Sequence, residues 1–188
     1  MVNLAEKMPA SRLFPLTDNA GARYSHRVNG GARFSLRLPA ASIQPASEAL
    51  GIELAMPVNC ASVTDSATVF RLGPDEWLLL LPEAQVASVA AGLEARLTDG
   101  RYSLVDISHR QTGVLLEGAA ATDILNGGCP LDFDLAAFPV GMATRTIFFK
   151  AEIVLWRQSE TQFHLEVWRS FAPYVWDLLG VIGREYGG

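Results

Sequence analysis

Residues 69–81, with the sequence VFRLGPDEWLLLL, contain two apolar runs separated by a Gly-Pro-Asp sequence at 73–75. Glycine, proline and aspartate favour tight turns, so the pattern predicts a β-hairpin with strands at 69–72 and 76–81. The second strand is continuously apolar over 78–81, which is typical of a central strand that is covered on both faces. The hairpin therefore predicts a sheet with further layers on either side.

The segments around the hairpin predict one more strand and two helices. In residues 33–38 polar and apolar residues alternate strictly, so Phe34, Leu36 and Leu38 share one face of a strand. A short helix is predicted at 45–50, where a glycine closes it. After the hairpin, apolar residues recur with helical spacing and predict a long amphipathic helix. These residues are Val86, Val89, Ala90, Leu93 and Leu97.

The same order of elements occurs a second time along the chain. The elements predicted there are a strand at 113–117, a short helix at 119–126, a further strand at 144–149, a hairpin at 153–167 and an apolar helix from Ser170 onward. Ser170 is the predicted N-cap of this helix. We therefore predict an α+β fold of two pseudo-repeated α/β sandwich halves, each with the order strand-helix-hairpin-helix. In this prediction residues 33–188 form a single pseudo-symmetric domain with halves 33–100 and 101–188, and a strand at 103–107 opens the second half.

Residues 1–32 lack apolar periodicity and contain several glycines and prolines, which predicts an extended N-terminal arm. Residues 1–37 hold six basic and two acidic residues, a net charge of +4, whereas the remainder holds nine basic and eighteen acidic residues, a net charge of −9. This asymmetry predicts that the basic arm docks onto an acidic surface, either on the body of this chain or on a partner.

Composition limits the classes of protein to which the chain can belong. With 49% hydrophobic and 19% charged residues it is typical of a globular protein rather than a disordered one. The longest uncharged stretch, 54–64, is too short for a membrane-spanning helix, and residues 1–15 contain no apolar segment of a secretory signal. Two cysteines without a CxxC pair favour a reducing, cytoplasmic location. The net charge of −5 and the scattered basic residues disfavour nucleic-acid binding.

The sequence contains no common motif for a nucleotide, a catalytic zinc ion or a nucleophilic serine. It lacks GxGxxG, a Walker loop, HExxH and GxSxG. The three histidines lie far apart, which disfavours a metal site, and His164 is predicted at the surface, on the polar side of a strand. Nearby aspartates disfavour a thiolate at Cys129 and favour a buried, inert thiol. We therefore predict no catalytic, cofactor-binding or metal-binding residue in this chain.

Residues 106–110, Asp-Ile-Ser-His-Arg, bring the residue types of a hydrolase triad together in sequence. Triad members meet through the fold rather than through adjacency, and in an extended chain Asp106 and Ser108 point one way while His109 points the other. The favoured interpretation is a strand that ends in a polar turn, with Asp106 accepting backbone hydrogen bonds.

Four runs of sequence, distributed over both predicted halves, are LGPDEWLL at 72–79, VDISHR at 105–110, GCPLD at 128–132 and EVWRSFAPY at 166–174. Together they resemble the gamma subunit family of heterotetrameric sarcosine oxidase, and the resemblance covers roughly residues 33–179. That family is similar in turn to the folate-binding domain of the aminomethyltransferases of the glycine cleavage system, which carries the same Asp-x-Ser-His turn. The resemblance implies the same two-half α+β fold that the periodicity predicts.

The resemblance also implies a non-catalytic structural and assembly subunit (gamma) of a heterotetrameric flavoenzyme. Such a complex oxidatively demethylates sarcosine to glycine, and the one-carbon unit passes to tetrahydrofolate or leaves as formaldehyde with hydrogen peroxide. The implied partners are the alpha, beta and delta subunits. FAD, FMN, NAD, zinc and tetrahydrofolate are expected in those partners, and the gamma subunit itself is expected to carry no cofactor.

The chain departs from the folate enzymes at one place. They carry an essential carboxylate in a Gly-Gly-x-x-Asp-type turn of the second half, where this chain has KAEIV at 150–154. Glu152 is the acidic residue there, and we expect it to pair with Lys150 or Arg157. Two alternatives stay open: a folate-binding one-carbon (aminomethyl) transferase-like protein and a stand-alone interaction module.

Four residues at the predicted strand ends form a candidate contact site for a partner or a folate-like ligand: His109, Arg110, Trp168 and Arg169. Strand ends followed by helix starts collect free N–H groups, which favour anions. Two arginines beside an aromatic ring would bind the tail or ring of a folate, or an acidic patch of a sister subunit. The alternative is that Arg110 and Arg169 pair locally with Asp106 and Glu166.

Overall fold

The computed structural model describes residues 31–98 and 100–186, together with the backbone of residues 18–19 and 22–25. The strands and helices, in chain order, are β1 (Asp18–Asn19), β2 (Ala22–Ser25), β3 (Gly31–Arg37), α1 (Ile43–Leu50), β4 (Cys60–Val63), β5 (Thr68–Arg71), β6 (Glu76–Pro82), α2 (Val86–Arg96), β7 (Ser103–Asp106), β8 (Gln111–Glu117), α3 (Ala121–Asn126), β9 (Ala143–Phe148), β10 (Ala151–Ser159), β11 (Gln162–Trp168) and α4 (Ala172–Gly183). Within the described residues, no helix has both the length and the apolar character needed to cross a membrane.

The strands form two antiparallel sheets with matching orders. From one edge to the other, the first sheet has the strand order β4-β5-β6-β3-β7, and the second sheet has the strand order β9-β10-β11-β8-β2-β1. Each strand of the first sheet therefore has a counterpart in the second, with α1 and α2 corresponding to α3 and α4. The α+β fold of two pseudo-repeated halves is confirmed.

The last strand of each half comes from an unexpected part of the chain. Strand β7 pairs with β3 and so belongs to the first sheet, although it follows residue 100. The equivalent position in the second sheet, next to β8, is taken by β2 from near the N-terminus, and β1 pairs with β2 at the edge. The division into halves 33–100 and 101–188 stays a prediction, as does the docking of the basic arm, because most of residues 1–32 lie outside the described residues.

The two sheets face each other, and the helices cover their outer faces. One buried cluster joins the first sheet to α1 and α2, through residues such as Leu36, Leu79 and Leu93. A second cluster joins the other sheet to α3 and α4, through residues such as Leu165 and Leu179. A third, smaller cluster lies between the sheets and consists of Phe70, Leu78, Ile107, Ala143, Val154 and Trp156. The order of layers is helix, sheet, sheet, helix.

The hairpin of β5 and β6 forms as its sequence predicts, and β6 is a central strand. Leu79 packs toward the helices, whereas Leu78 packs toward the other sheet, so the continuous apolar run is covered on both faces. The predicted end of α1 is also confirmed, since Gly51 adopts a left-handed conformation with φ of 64°.

The predicted N-cap of the last helix is wrong. Helix α4 begins at Ala172, Phe171 is its N-cap residue, and no side chain caps it. The backbone N–H of Phe171 donates to the carbonyl of Trp168 at 2.8 Å, so the residues around Ser170 form a turn between β11 and α4. The chain needs this turn to pass from the sheet to the helix layer.

Candidate functional site

The layer between the two sheets carries the main polar features of the fold. The guanidinium of Arg33, on β3, donates two hydrogen bonds to the Glu166 carboxylate, on β11, at 3.0 and 3.1 Å. His164 Nε2 lies 2.8 Å from the same carboxylate. Arg33, His164 and Glu166 are all buried, so this buried ion cluster links the two sheets inside the protein.

The environment of Glu166 holds its carboxyl in the ionised form. Burial alone would raise the pKa of Glu166, but the interactions of its carboxylate with His164 and with the Arg33 guanidinium outweigh burial and lower that pKa. Gly113, on the neighbouring strand β8, provides the space, because a Cβ atom there would lie 2.9 Å from Glu166 Oε1. The cluster is thus a paired charge rather than a free acid or base.

The prediction that His164 lies at the surface is wrong, since the residue is only 1% exposed. Its strand is covered on one face by α3 and α4 and on the other by the first sheet, where the ring of Phe70 on β5 lies near His164. The ring of Trp156, on the neighbouring strand β10 of the same sheet as His164, also lies near it. Alternation of polar and apolar residues shows which side chains share a face, but not whether water or a second sheet covers that face. His164 Nδ1 is buried and has no hydrogen-bond partner among the described residues.

The polar turn at the end of β7 is structural, as the sequence indicates. The Asp106 carboxylate accepts hydrogen bonds from the backbone N–H and the hydroxyl of Ser108, and these bonds lower the pKa of Asp106. Ser108 Oγ accepts in turn from the backbone N–H of Arg33 at 2.9 Å. His109 is exposed, and the hydrogen bonds of Asp106 and Ser108 to each other and to Arg33 are made without it, so the three residues are not linked as a triad.

The structure brings three of the four candidate contact residues together. The Arg110 guanidinium lies over the Trp168 ring, 5.1 Å from its centre, and the backbone N–H of Arg169 donates to the Arg110 carbonyl at 2.8 Å. His109 is the preceding residue in the same turn. The proposed local pairing of the arginines with Asp106 and Glu166 is wrong, because Asp106 binds Ser108 and Glu166 is buried against Arg33.

A small cleft lies between the sheets beside this arginine–tryptophan stack. Its volume is about 30 Å³, and its lining includes Ser35, Glu76, Arg110, Gln111, Arg145 and Trp168. Gln111 Oε1 is buried and has no hydrogen-bond partner among the described residues. A cleft of this size has room for one or two water molecules, whereas sites for drug-sized ligands measure roughly 300–1,000 Å³.

Charged side chains form the rim of the cleft. Arg145 donates to Glu76, and this hydrogen bond lowers the pKa of the Glu76 carboxyl. Glu152 pairs with Arg145 at 3.8 Å, so its predicted pairing with Lys150 or Arg157 is wrong. Arg157 is instead buried, where it donates to backbone carbonyls of residues 133, 138, 159 and 160.

Cys129 is buried, and its Sγ atom lies 3.6 Å from Thr146 Oγ1. The predicted burial of Cys129 is confirmed, and this burial raises the pKa of its thiol. Among the described residues, no group of three or more His, Cys, Asp or Glu side chains is arranged to hold a metal ion.

The model of the "Sarcosine oxidase, gamma subunit family" matches residues 38–184, which is most of the chain. The chain belongs to the sarcosine oxidase gamma subunit family. This result confirms the resemblance that the four sequence runs carry.

Individual relatives agree with the family. The chain is 33% identical over 129 residues to the sarcosine oxidase subunit gamma of Corynebacterium sp. strain P-1, with 68% of this chain and 63% of that protein covered. It is 32% identical over 118 residues to the subunit gamma of an Arthrobacter species, with 62% and 57% covered. The match thus spans about three fifths of the length of these gamma-subunit relatives. An aminomethyltransferase of Saccharopolyspora erythraea is 30% identical over 128 residues, with 66% and 34% covered.

Solved structures show the same fold as this gamma-subunit family member. A chain of the heterotetrameric sarcosine oxidase from Corynebacterium sp. U-96 matches with a TM-score of 0.81 and 24% identity, covering 92% of this chain and 89% of that chain. The glycine cleavage system aminomethyltransferase T from Bartonella henselae matches with a TM-score of 0.62 and 13% identity, covering 90% of this chain and 50% of that chain. The expected likeness to the aminomethyltransferase fold is confirmed.

The buried ion cluster is not among the residues predicted from the sequence, although β11 contains a signal for it. His164 and Glu166 alternate with Phe163, Leu165 and Val167, which pack against the helices. In a fold with two sheets, each covered by helices on one face only, the remaining faces pack against each other. The polar residues of β11 were therefore candidates for an interior pair.

Proposed function

We propose that this chain is the gamma subunit of a heterotetrameric sarcosine oxidase and that it acts there as a non-catalytic assembly subunit. The observation that carries this proposal is the family match over residues 38–184. In the proposed complex, the alpha, beta and delta subunits hold FAD, FMN, NAD, zinc and tetrahydrofolate, and they oxidatively demethylate sarcosine to glycine. We also propose a cytoplasmic location, which the free thiols of Cys60 and Cys129 support.

The geometry of the polar residues supports a role without catalysis. Glu166 is bound by Arg33 and His164, and Asp106 is bound by Ser108, so neither carboxylate is placed to exchange a proton with a substrate. At the place where the folate enzymes carry an essential carboxylate, Glu152 pairs with Arg145 on the protein surface. We expect the exposed residues His109, Arg110, Trp168 and Arg169 to contact a partner.

The test is to express the chain alone and together with the other three subunits. We expect the four chains to co-elute and to produce hydrogen peroxide from sarcosine. The chain alone should show no flavin absorbance and no peroxide production. Turnover by the lone chain, or failure of the chain to join the complex, would contradict the proposal.

The second candidate function is that of a folate-binding one-carbon transferase-like protein. The identity with the Saccharopolyspora erythraea aminomethyltransferase favours it. Calorimetric titration of the isolated chain with tetrahydrofolate distinguishes the two candidate functions. Binding that disappears in an Arg110→Ala variant would support the folate-binding function. The absence of a binding heat would support the assembly function instead.

A further inference from the structure

We propose that Arg110, Trp168, Arg169, Phe171 and Tyr174, which we call the arginine–aromatic surface, dock onto an apolar surface that bears carboxylates on a different subunit of the complex. This inference rests on the proposed function, because the partner is one of the other subunits of the sarcosine oxidase. It adds the location of the contact and the chemistry of the partner's surface.

Helix α4 is apolar on nearly all sides. Its sequence, APYVWDLLGVIG, contains a single charged residue, Asp177. Val175 and Leu179 pack into the core, whereas Tyr174 and Val181 are exposed. A surface helix of a globular protein ordinarily carries charged and polar residues on its outer face, so an apolar outer face indicates that another molecule covers it.

Three large aromatic side chains are exposed where β11 passes into α4. Trp168 is 39% exposed, Phe171 is 41% exposed and Tyr174 is 36% exposed. A turn joins the first two, and Tyr174 follows Phe171 by three residues, about one helical turn. The Trp168 ring is held in place by the Arg110 guanidinium on its face. Exposed aromatic residues beside arginine are the residue types most enriched at the centres of protein interfaces.

No carboxylate within residues 31–98 and 100–186 pairs with either arginine of this surface, Arg110 or Arg169. Glu166 is buried and pairs with Arg33, while the Asp106 carboxylate accepts from Ser108. A partner surface that presents carboxylates would therefore meet two guanidinium groups that no described carboxylate occupies, and guanidinium groups bind carboxylates with favourable geometry.

Charge also argues against a second copy of this chain as the occupant. A two-fold dimer centred on the arginine–aromatic surface would place the same patch on both sides of the interface. Arg110 and Arg169 of one copy would then face the same arginines of the other, and this arrangement of like charges is unfavourable. The complementary surface therefore belongs to a different chain.

The test uses the full chain with the other three subunits. We expect the double variant Arg110→Glu/Arg169→Glu, and separately Phe171→Ser/Tyr174→Ser, to bind the remaining subunits at least about tenfold more weakly than the wild type, as loss of interface anchors does. The wild-type affinity should fall with added salt, and the charge-reversal variant should lose most of this dependence. The matched controls are Arg96→Glu on α2 and Val63→Ser on β4. Both residues are exposed and lie on elements of the first half, outside the arginine–aromatic surface, so these variants should bind like the wild type.

The outcomes separate this inference from the proposed function. If the wild-type chain forms no complex, the proposed function fails and this inference fails with it. If the wild type assembles and both double variants assemble equally tightly, only the docking surface is overturned. A lone chain that dimerises through these residues overturns the choice of partner. If a variant has a lower melting temperature than the wild type, the docking surface is tested by hydrogen exchange of the wild-type chain. New protection of residues 168–178 on assembly supports the docking surface, and unchanged exchange overturns it.

Discussion

At the scale of single residues, Glu166 connects the two sheets through charge. It accepts two hydrogen bonds from Arg33 and lies 2.8 Å from His164 Nε2, with its side chain fully buried. A buried ion pair contributes little net stability compared with apolar side chains of the same volume, but loss of one partner leaves an unpaired buried charge. The cluster therefore makes the chain sensitive to substitution at any of its members.

Replacement of Glu166 by Gln should destabilise the isolated chain by about 3–5 kcal/mol, because Arg33 then remains buried without a counter-charge. The measurement is urea unfolding followed by circular dichroism. Glu152→Gln is the matched control, since its pair with Arg145 is exposed and should change stability by no more than about 1 kcal/mol. Equal effects of the two substitutions would contradict this account of the cluster.

The same carboxyl predicts how stability depends on pH. The pKa of Glu166 is lower in the folded chain than in the unfolded chain. Its contribution is therefore fully present above the unfolded pKa, about 4.3, and is lost as the pH falls through the folded value. Melting temperatures measured between pH 3 and pH 7 should fall less steeply below about pH 4.3 for Glu166→Gln than for the wild type. Part of the slope should remain, because the pKa values of Glu76 and Asp106 are also lowered; identical slopes would exclude Glu166 as a source.

At the scale of elements, β2 completes the second sheet as β7 completes the first. Strand β2 pairs with β8 through three residue pairs at Leu115, Leu116 and Glu117. Without β2, the backbone groups at this edge of β8 have no strand partner, and an open sheet edge is a common site of association between chains. The N-terminal region thus contributes to the fold through backbone pairing.

A chain that starts at residue 27 should melt lower than the full chain and associate at high concentration, because it lacks β2. A chain that starts at residue 17 keeps β1 and β2 and is the matched control. Hydrogen exchange should increase at 115–117 in the shorter chain and stay unchanged in the hairpin of β5 and β6. Faster exchange throughout both sheets would show instead that the N-terminal region stabilises the whole domain.

At the scale of the whole molecule, the two sheets are also joined along one edge. Asn59 donates its backbone N–H to the Arg71 carbonyl and accepts from the backbone N–H of Ala143, at 2.8 and 2.9 Å. Its side-chain Oδ1 accepts from Thr144 at 3.0 Å, and its φ of 66° lies in the left-handed region. Together with the buried ion cluster, this connection should make both halves unfold in one transition.

Substitutions at Asn59 should separate the backbone and side-chain contributions to this connection. Asn59→Gly keeps the left-handed conformation and loses only the bond to Thr144, so it should cost about 0.5–1.5 kcal/mol. Asn59→Ala loses the bond and also strains the backbone, which should add roughly 1–2 kcal/mol. Calorimetry measures both values and shows whether one transition remains. If the Asn59→Ala variant were more stable than the Asn59→Gly variant, this result would contradict the role of the left-handed backbone.

The sequence by itself determined the elements, the repeat and the family of this protein. Hairpin turns, the Gly51 helix end and the alternation in β3 are local features, because turn chemistry and side-chain period act over a few residues. The four sequence runs placed the chain in the gamma subunit family, and the stack of Arg110 on Trp168 joins two of these runs.

Only the tertiary structure decided what covers each face and which distant residues meet. Arg33 and Glu166 are separated by 133 positions, and neither has a local pattern that identifies the other as its partner. Likewise, β7 completes the first sheet and β2 the second, although their places in the sequence suggest otherwise. The physical reason is that periodicity fixes the side of a strand on which a residue lies, whereas the packing of two sheets decides whether that side meets water, a charge or another layer.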